Sequence, residues 1–143
     1  MDALFNSLEY LFNFWPMMLL FVGVALGIVV GSIPGLTTTM LITLTLPLTF
    51  FMESVDAITL LIGMYVGGIS GSQIAATLLR MPGTPASIMT TFDGYPMSQQ
   101  GKSERALGLG ITASFVGGIV SWIFLAILSP PLAKLALSFG PWE

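Results

Sequence analysis

Seven hydroxyl side chains stand beside two Pro-Gly pairs in this chain. Thr37, Thr38 and Thr39 follow Pro34-Gly35, and Thr84, Ser87, Thr90 and Thr91 follow Pro82-Gly83. A hydroxyl can donate to a carboxylate or accept toward a cation, and it carries no charge. It can also turn back onto a carbonyl of its own helix. Both readings stand for these residues. Other chemistry is restricted by what the chain lacks. It has no histidine and no cysteine, so the usual general base, the thiol nucleophile and the commonest metal ligands are missing. Gly68-Ile69-Ser70-Gly71 matches the GxSG pattern of intramembrane serine proteases. That chemistry needs a base to activate the serine, and neither a histidine nor a suitably placed lysine exists. The chain is therefore not read as an enzyme, and no cofactor or firm metal site is expected.

The elements that would position these hydroxyls are membrane helices. Of the 143 residues, 55% are hydrophobic and 8% charged, with a mean hydropathy of +0.92. Soluble domains carry roughly 25% charged residues. The net charge of −3 is too small to suggest a nucleic-acid partner, so the expected surroundings are the lipid bilayer. The nine methionines read as apolar packing. Residues 10–52 form 43 consecutive positions without a charge, enough for about two passes at roughly 20 residues each.

This pattern predicts an all-α, polytopic transmembrane protein whose helices are broken or made re-entrant by Pro-Gly pairs, with residues 1–143 as one transmembrane domain. The expected helices are an interfacial amphipathic segment at 4–12, spans at 14–33, 36–51 and 57–79, a broken or re-entrant segment at 82–92, and a span at 106–128. Residues 93–105 read as the longest polar loop, with Asp93-Gly94 as its opening turn and Pro130-Pro131 ending the last span. Glu53 and Asp56 read as a turn or cap. Lys102, Arg105 and Arg80 cluster around the polar loop, which places it in the cytoplasm by the positive-inside rule; three spans back, the N-terminus falls outside. Arg80 reads as snorkelling to the interface in preference to attracting an anion.

Two glycine sets stand out. Gly23, Gly27 and Gly31 recur every four residues, and Gly63, Gly67 and Gly71 do so forty residues later. Each lines one helix face, which suits close helix packing. Each set precedes a Pro-Gly break. Such breaks are tolerated at membrane depth only where they are buried in protein or line a wet cavity. There, helix N-termini can face an anion and unwound carbonyls a sodium ion.

The stretches "GVALGIVVGSIPGLTTT", "RMPGTPASIMTTFDGYP" and "QGKSERALG", in this order, resemble the large permease subunit of tripartite tricarboxylate transporters over about residues 20–120. The resemblance implies a secondary transporter in the bacterial inner membrane, driven by a sodium or proton gradient and taking up a di- or tricarboxylate such as citrate. It implies a two-repeat transporter fold, of which this chain would be an N-terminal part. It also implies two partners, a periplasmic solute-binding protein and a small membrane subunit. By that resemblance Pro34, Gly35, Leu36, Thr37, Thr38 and Thr39, with Pro82, Gly83, Thr84, Pro85, Ala86 and Ser87, line the substrate and ion site, with sodium near Gly35 and Gly83. Arg80 departs from the family, in which that position is more often asparagine. A different class of function is a membrane scaffold held through its glycine faces that transports nothing itself.

Overall fold

The computed structural model describes residues 13–138, with side chains described for residues 13–132. The expected interfacial helix at 4–12 lies outside the described residues. Every regular element described is helical. They are α1 (Phe14–Ser32), α2 (Thr38–Thr49), α3 (Ser54–Leu79), a 3-10 turn (Pro85–Ser87), α4 (Thr90–Gln99) and α5 (Ser103–Ser138). Three of them are long and apolar enough to cross a membrane: α1, α3 and the part of α5 from Ser103 to Leu132. The protein is thus a polytopic helical membrane protein. The 12-residue α2 is not long enough, because at 1.5 Å per residue it covers about 18 Å of a core about 30 Å thick.

The described residues divide into two compact units at Leu107/Gly108. The second unit is the remainder of α5, which continues through Pro130 and Pro131 to Ser138. Those prolines were expected to end the span. They withdraw two amide donors, yet the chain stays helical across them.

In the first unit the glycine sets face each other. A β-carbon at Gly23 would meet the Leu60 carbonyl oxygen at 2.5 Å, one at Gly27 that of Met64, and one at Gly31 that of Gly68. From the other side, a β-carbon at Gly63 would lie 2.8 Å from the Leu20 carbonyl oxygen, and one at Gly67 would meet that of Val24. The partner numbers rise together, so α1 and α3 run parallel. The forty-residue spacing of the two sets is therefore a packing register, glycine face on glycine face. With no β-carbons between them, the two backbones touch directly.

Two parallel neighbours need a return path, and α2 supplies it. Thr38 at its start packs on Gly68, and Thr45 and Leu48 line a cleft with Leu19, Val22 and Leu26 of α1. The connection from α2 to α3 lies at the opposite end of this layer, where Phe51, Met52, Glu53 and Asp56 approach Asn13, Trp15 and Pro16. Glu53 occupies the N-cap position of α3 without a side-chain capping bond, and Asp56 lies in the first turn, where an acidic group suits the helix dipole.

The region from Asp93 to Gln99 is helix, not loop. Gly94 is drawn into it by packing: a β-carbon there would sit 3.1 Å from Thr90 Cγ2 and 3.2 Å from Thr77 Oγ1 of α3. The helix then stops at Gly101, whose φ of +74° allows a paired closure. The Gly101 amide donates to the Ser98 carbonyl at 2.9 Å and the Lys102 amide to the Met97 carbonyl at 3.0 Å. Only residues 100–102 separate α4 from α5.

The α1–α3 contact makes a prediction. Gly27→Ala should lower the unfolding free energy of the chain in detergent micelles by about 1–3 kcal/mol, the usual range for overpacking. Val29→Ala, at a position 59% exposed, should change it by less than about 0.5 kcal/mol.

Candidate functional site

The first Pro-Gly pair makes a turn. The Leu36 amide donates to the Ile33 carbonyl at 3.2 Å, Pro34 holds the second position, and Gly35 has a φ of +90°. This is the type II arrangement, in which proline suits the second residue and glycine the third. The sequence placed a break between two helices here, and the break is a reversal that ends the first at Ser32 and sends α2 back alongside it. Thr37 caps α2, its side-chain oxygen accepting from the Met40 amide at 3.2 Å. Thr38 is buried, and its hydroxyl has no hydrogen-bond partner. Thr39 is exposed, and its carbonyl accepts from the Thr43 hydroxyl at 2.8 Å.

The second Pro-Gly pair works differently. Helix α3 ends at Arg80, whose φ of 58° and ψ of 27° are left-handed. For a residue with a β-carbon this conformation costs roughly 1–2 kcal/mol. The Arg80 amide donates to the Ala75 carbonyl, and the Met81 amide reaches the same oxygen at 3.4 Å. The Arg80 guanidinium lies over the Tyr95 ring, 5.7 Å from its centroid, so this side chain is engaged by α4. After Pro82 the chain folds back into the crevice at the end of α1. A β-carbon on Gly83 would lie 3.1 Å from Ser72 Cβ, 3.6 Å from the Gly31 carbonyl oxygen and 3.8 Å from that of Leu36. The two Pro-Gly segments therefore meet, separated in sequence by all of α2 and α3.

A hydroxyl network closes the junction. Thr84 Oγ1 and Ser72 Oγ lie 3.1 Å apart. Ser87, 1% exposed, accepts from the Thr84 amide at 3.2 Å and donates to the Thr84 carbonyl at 2.8 Å. The Ser87 amide donates in turn to the Thr84 carbonyl at 3.0 Å. Pro85 opens the 3-10 turn, where a missing amide costs nothing. Thr91 is buried and donates to the Ile88 carbonyl at 2.6 Å. Thr77, on the side of α3 facing α4, is fully buried with its hydroxyl unpartnered.

Of the expected site residues, the structure brings Leu36, Gly83, Thr84 and Ser87 to one junction. It places Pro34 and Gly35 on an exposed turn, with nothing within 4 Å of a β-carbon at Gly35. Pro82, Pro85 and Ala86 are also exposed, and Thr37 is half-buried. Sequence reasoning passed over Ser72, which joins the two halves of the junction. Its signal was its position four residues after Gly68, on the α3 face used by α1 and α2. Ser70, the serine of the GxSG match, donates to the Val66 carbonyl of its own helix at 3.0 Å. Among the described residues no group of three acidic, histidine or cysteine side chains is placed to hold a metal ion.

The fold and site define a class: a helical membrane protein in which two Pro-Gly segments, distant in sequence, close one hydroxyl-lined junction at the end of a parallel helix pair. The chain matches the Tripartite tricarboxylate transporter TctA family over residues 17–143 and belongs to that family. It is 42% identical over 123 residues to "Uncharacterized 52.8 kDa protein in TAR-I ttuC' 3'region" of Agrobacterium vitis, an alignment that covers 86% of this chain and 24% of that protein. The chain thus spans about a quarter of that relative's length. No solved structure matches it.

The two breaks respond differently to substitution. Gly35→Ala should cost about 1–2 kcal/mol of stability although it meets open space, because the penalty comes from φ alone, while Gly35→Asn should cost less. Ser87→Ala should cost about 0.5–2 kcal/mol through loss of the cap. Thermal unfolding of the purified variants checks both.

Proposed function

We propose that this chain forms part of the permease subunit of an ion-gradient-driven uptake system for di- and tricarboxylates such as citrate. In this reading a periplasmic solute-binding protein delivers the substrate, a small membrane subunit completes the complex, and the chain sits in the bacterial inner membrane. The observation that carries the reading is the meeting of the two Pro-Gly segments. It gathers in one place the start of α2, the carbonyls of Gly31 and Leu36, and the hydroxyls of Ser72 and Thr84. A helix N-terminus offers amides and partial positive charge to a carboxylate. Carbonyl and hydroxyl oxygens are the ligand types of a sodium ion, which supports the reading of a coupling cation near Gly83. The basic residues Arg80, Lys102 and Arg105 favour a cytoplasmic side for the α3–α5 connection. The further helices of a two-repeat fold would enclose the junction.

The second reading, a scaffold that carries no substrate, is favoured by one feature, the backbone-to-backbone seam of α1 and α3. The two readings separate by experiment. Proteoliposomes holding the chain in its native complex should accumulate labelled citrate or another di- or tricarboxylate under an inward sodium or proton gradient, and only with the binding protein present. Thr84→Val should reduce that uptake at least about tenfold, a step equal to roughly 1.4 kcal/mol of lost interaction, while leaving assembly intact. Failure of every such acid to move under either gradient overturns the transport reading. Unchanged uptake in Thr84→Val, together with lost assembly in Gly27→Leu, supports the scaffold.

A further inference from the structure

The left-handed backbone of Arg80 is unusual for its residue type. Among the described residues it is the only non-glycine with positive φ, whereas Gly35 and Gly101 hold the other two positive-φ positions. Strained positions of this kind persist when their surroundings over-determine them, and they cluster at functional sites. What surrounds Arg80 is specific. Its backbone angle reverses the chain after α3, so that Pro82 and Gly83 enter the crevice beside Ser72 and the end of α1. Its side chain lies over the Tyr95 ring at 5.7 Å. Tyr95 in turn stands on α4, which is seated on α3 by the close approach of Gly94 to Thr77. The segment from Met81 to Met89 is thus held at both ends by the same pair of residues: Arg80 leads into it, and Tyr95 lies on the helix that follows it.

We infer that Arg80 and Tyr95 form a latch that keeps the second Pro-Gly segment in its seat. Arg80 is then a positioning residue for the junction and not a ligand for an anion. The guanidinium–ring contact offsets part of the cost of the left-handed backbone, and the hydroxyl bonds of Thr84 and Ser87 hold the rest of the closed turn. Opening the latch frees Gly83 and Thr84 from Ser72, and loosens the Thr84–Ser87 turn that follows them, without unfolding α3 or α4. The consequence for substrate rests on the carboxylate reading given above. The latch itself does not, and it is measured independently of transport.

Hydrogen–deuterium exchange of the full chain in nanodiscs reads the latch at the amides of Thr84 and Ser87, both hydrogen-bonded within the closed segment. Arg80→Met keeps the β-carbon and its backbone cost but loses the cation. It should speed exchange at these amides about fivefold, the size expected for losing one exposed cation–ring contact. Tyr95→Leu should do the same, the double variant should do no more than either, and Tyr95→Phe should match the parent. Arg80→Gly, which also relieves the backbone, should exchange more slowly than Arg80→Met. In the uptake assay, Arg80→Met and Tyr95→Leu should raise KM alike. Parent-like exchange in Arg80→Met, or additive effects in the double variant, overturns the latch. So does a transport defect confined to Arg80 variants with Tyr95→Leu silent, which identifies Arg80 as an anion ligand. Accelerated exchange together with no carboxylate uptake keeps the latch and removes the carboxylate reading.

Discussion

Direct backbone contact between α1 and α3 is the constraint on which the other features depend. In hydrocarbon there is little hydrophobic gain from bringing two apolar helices together, so association rests on close packing and hydrogen bonding. Glycines at Gly23, Gly27 and Gly31, set against Gly63, Gly67 and Gly71, allow the two backbones to touch along three successive turns. Because these helices run parallel, the chain between them must travel back. That requirement explains the turn at Pro34-Gly35 and the short return helix α2. The register of the contact also fixes which end of α3 meets the end of α1, and hence where Ser72 lies.

The two Pro-Gly pairs look alike in sequence but do different physical work. At Pro34-Gly35 both residues take part in one hydrogen-bonded turn, with the glycine supplying the positive φ. At Pro82-Gly83 the reversal occurs earlier, at Arg80, and the glycine is needed for space, since a β-carbon would press on Ser72. Polar groups freed by the breaks are largely satisfied locally: Thr37 caps α2, and Thr84 and Ser87 bind each other. The buried hydroxyls of Thr38 and Thr77 are the exceptions among the described residues. An unmade buried hydrogen bond costs about 1–3 kcal/mol, so each needs a compensating reason. For Thr38 it is position: it presses against Gly68 where α2 begins, beside the junction.

The hydroxyls beside the breaks make different intramolecular bonds: Thr91 bonds the Ile88 carbonyl close by in sequence, whereas Thr84 reaches across to Ser72 on another element.

Composition and periodicity by themselves determined that this is a helical membrane protein and which faces carry glycine. Those properties are local: a 20-residue apolar run or a four-residue spacing needs no partner to be read. The GxxxG sets, the Pro-Gly pairs and the motif order that marks the family were all legible in this way. Pairing was decided only by the tertiary structure. That the two glycine sets face each other, that α1 and α3 are parallel, and that Ser72 joins Thr84 depend on contacts between residues far apart in sequence. Local signals misled where tertiary contact overrode them. Asp93-Gly94 reads as a turn, yet packing of Gly94 on Thr77 keeps it helical. The left-handed backbone of Arg80 and its seat on Tyr95 had no local signal at all, because they arise only once α4 has docked on α3.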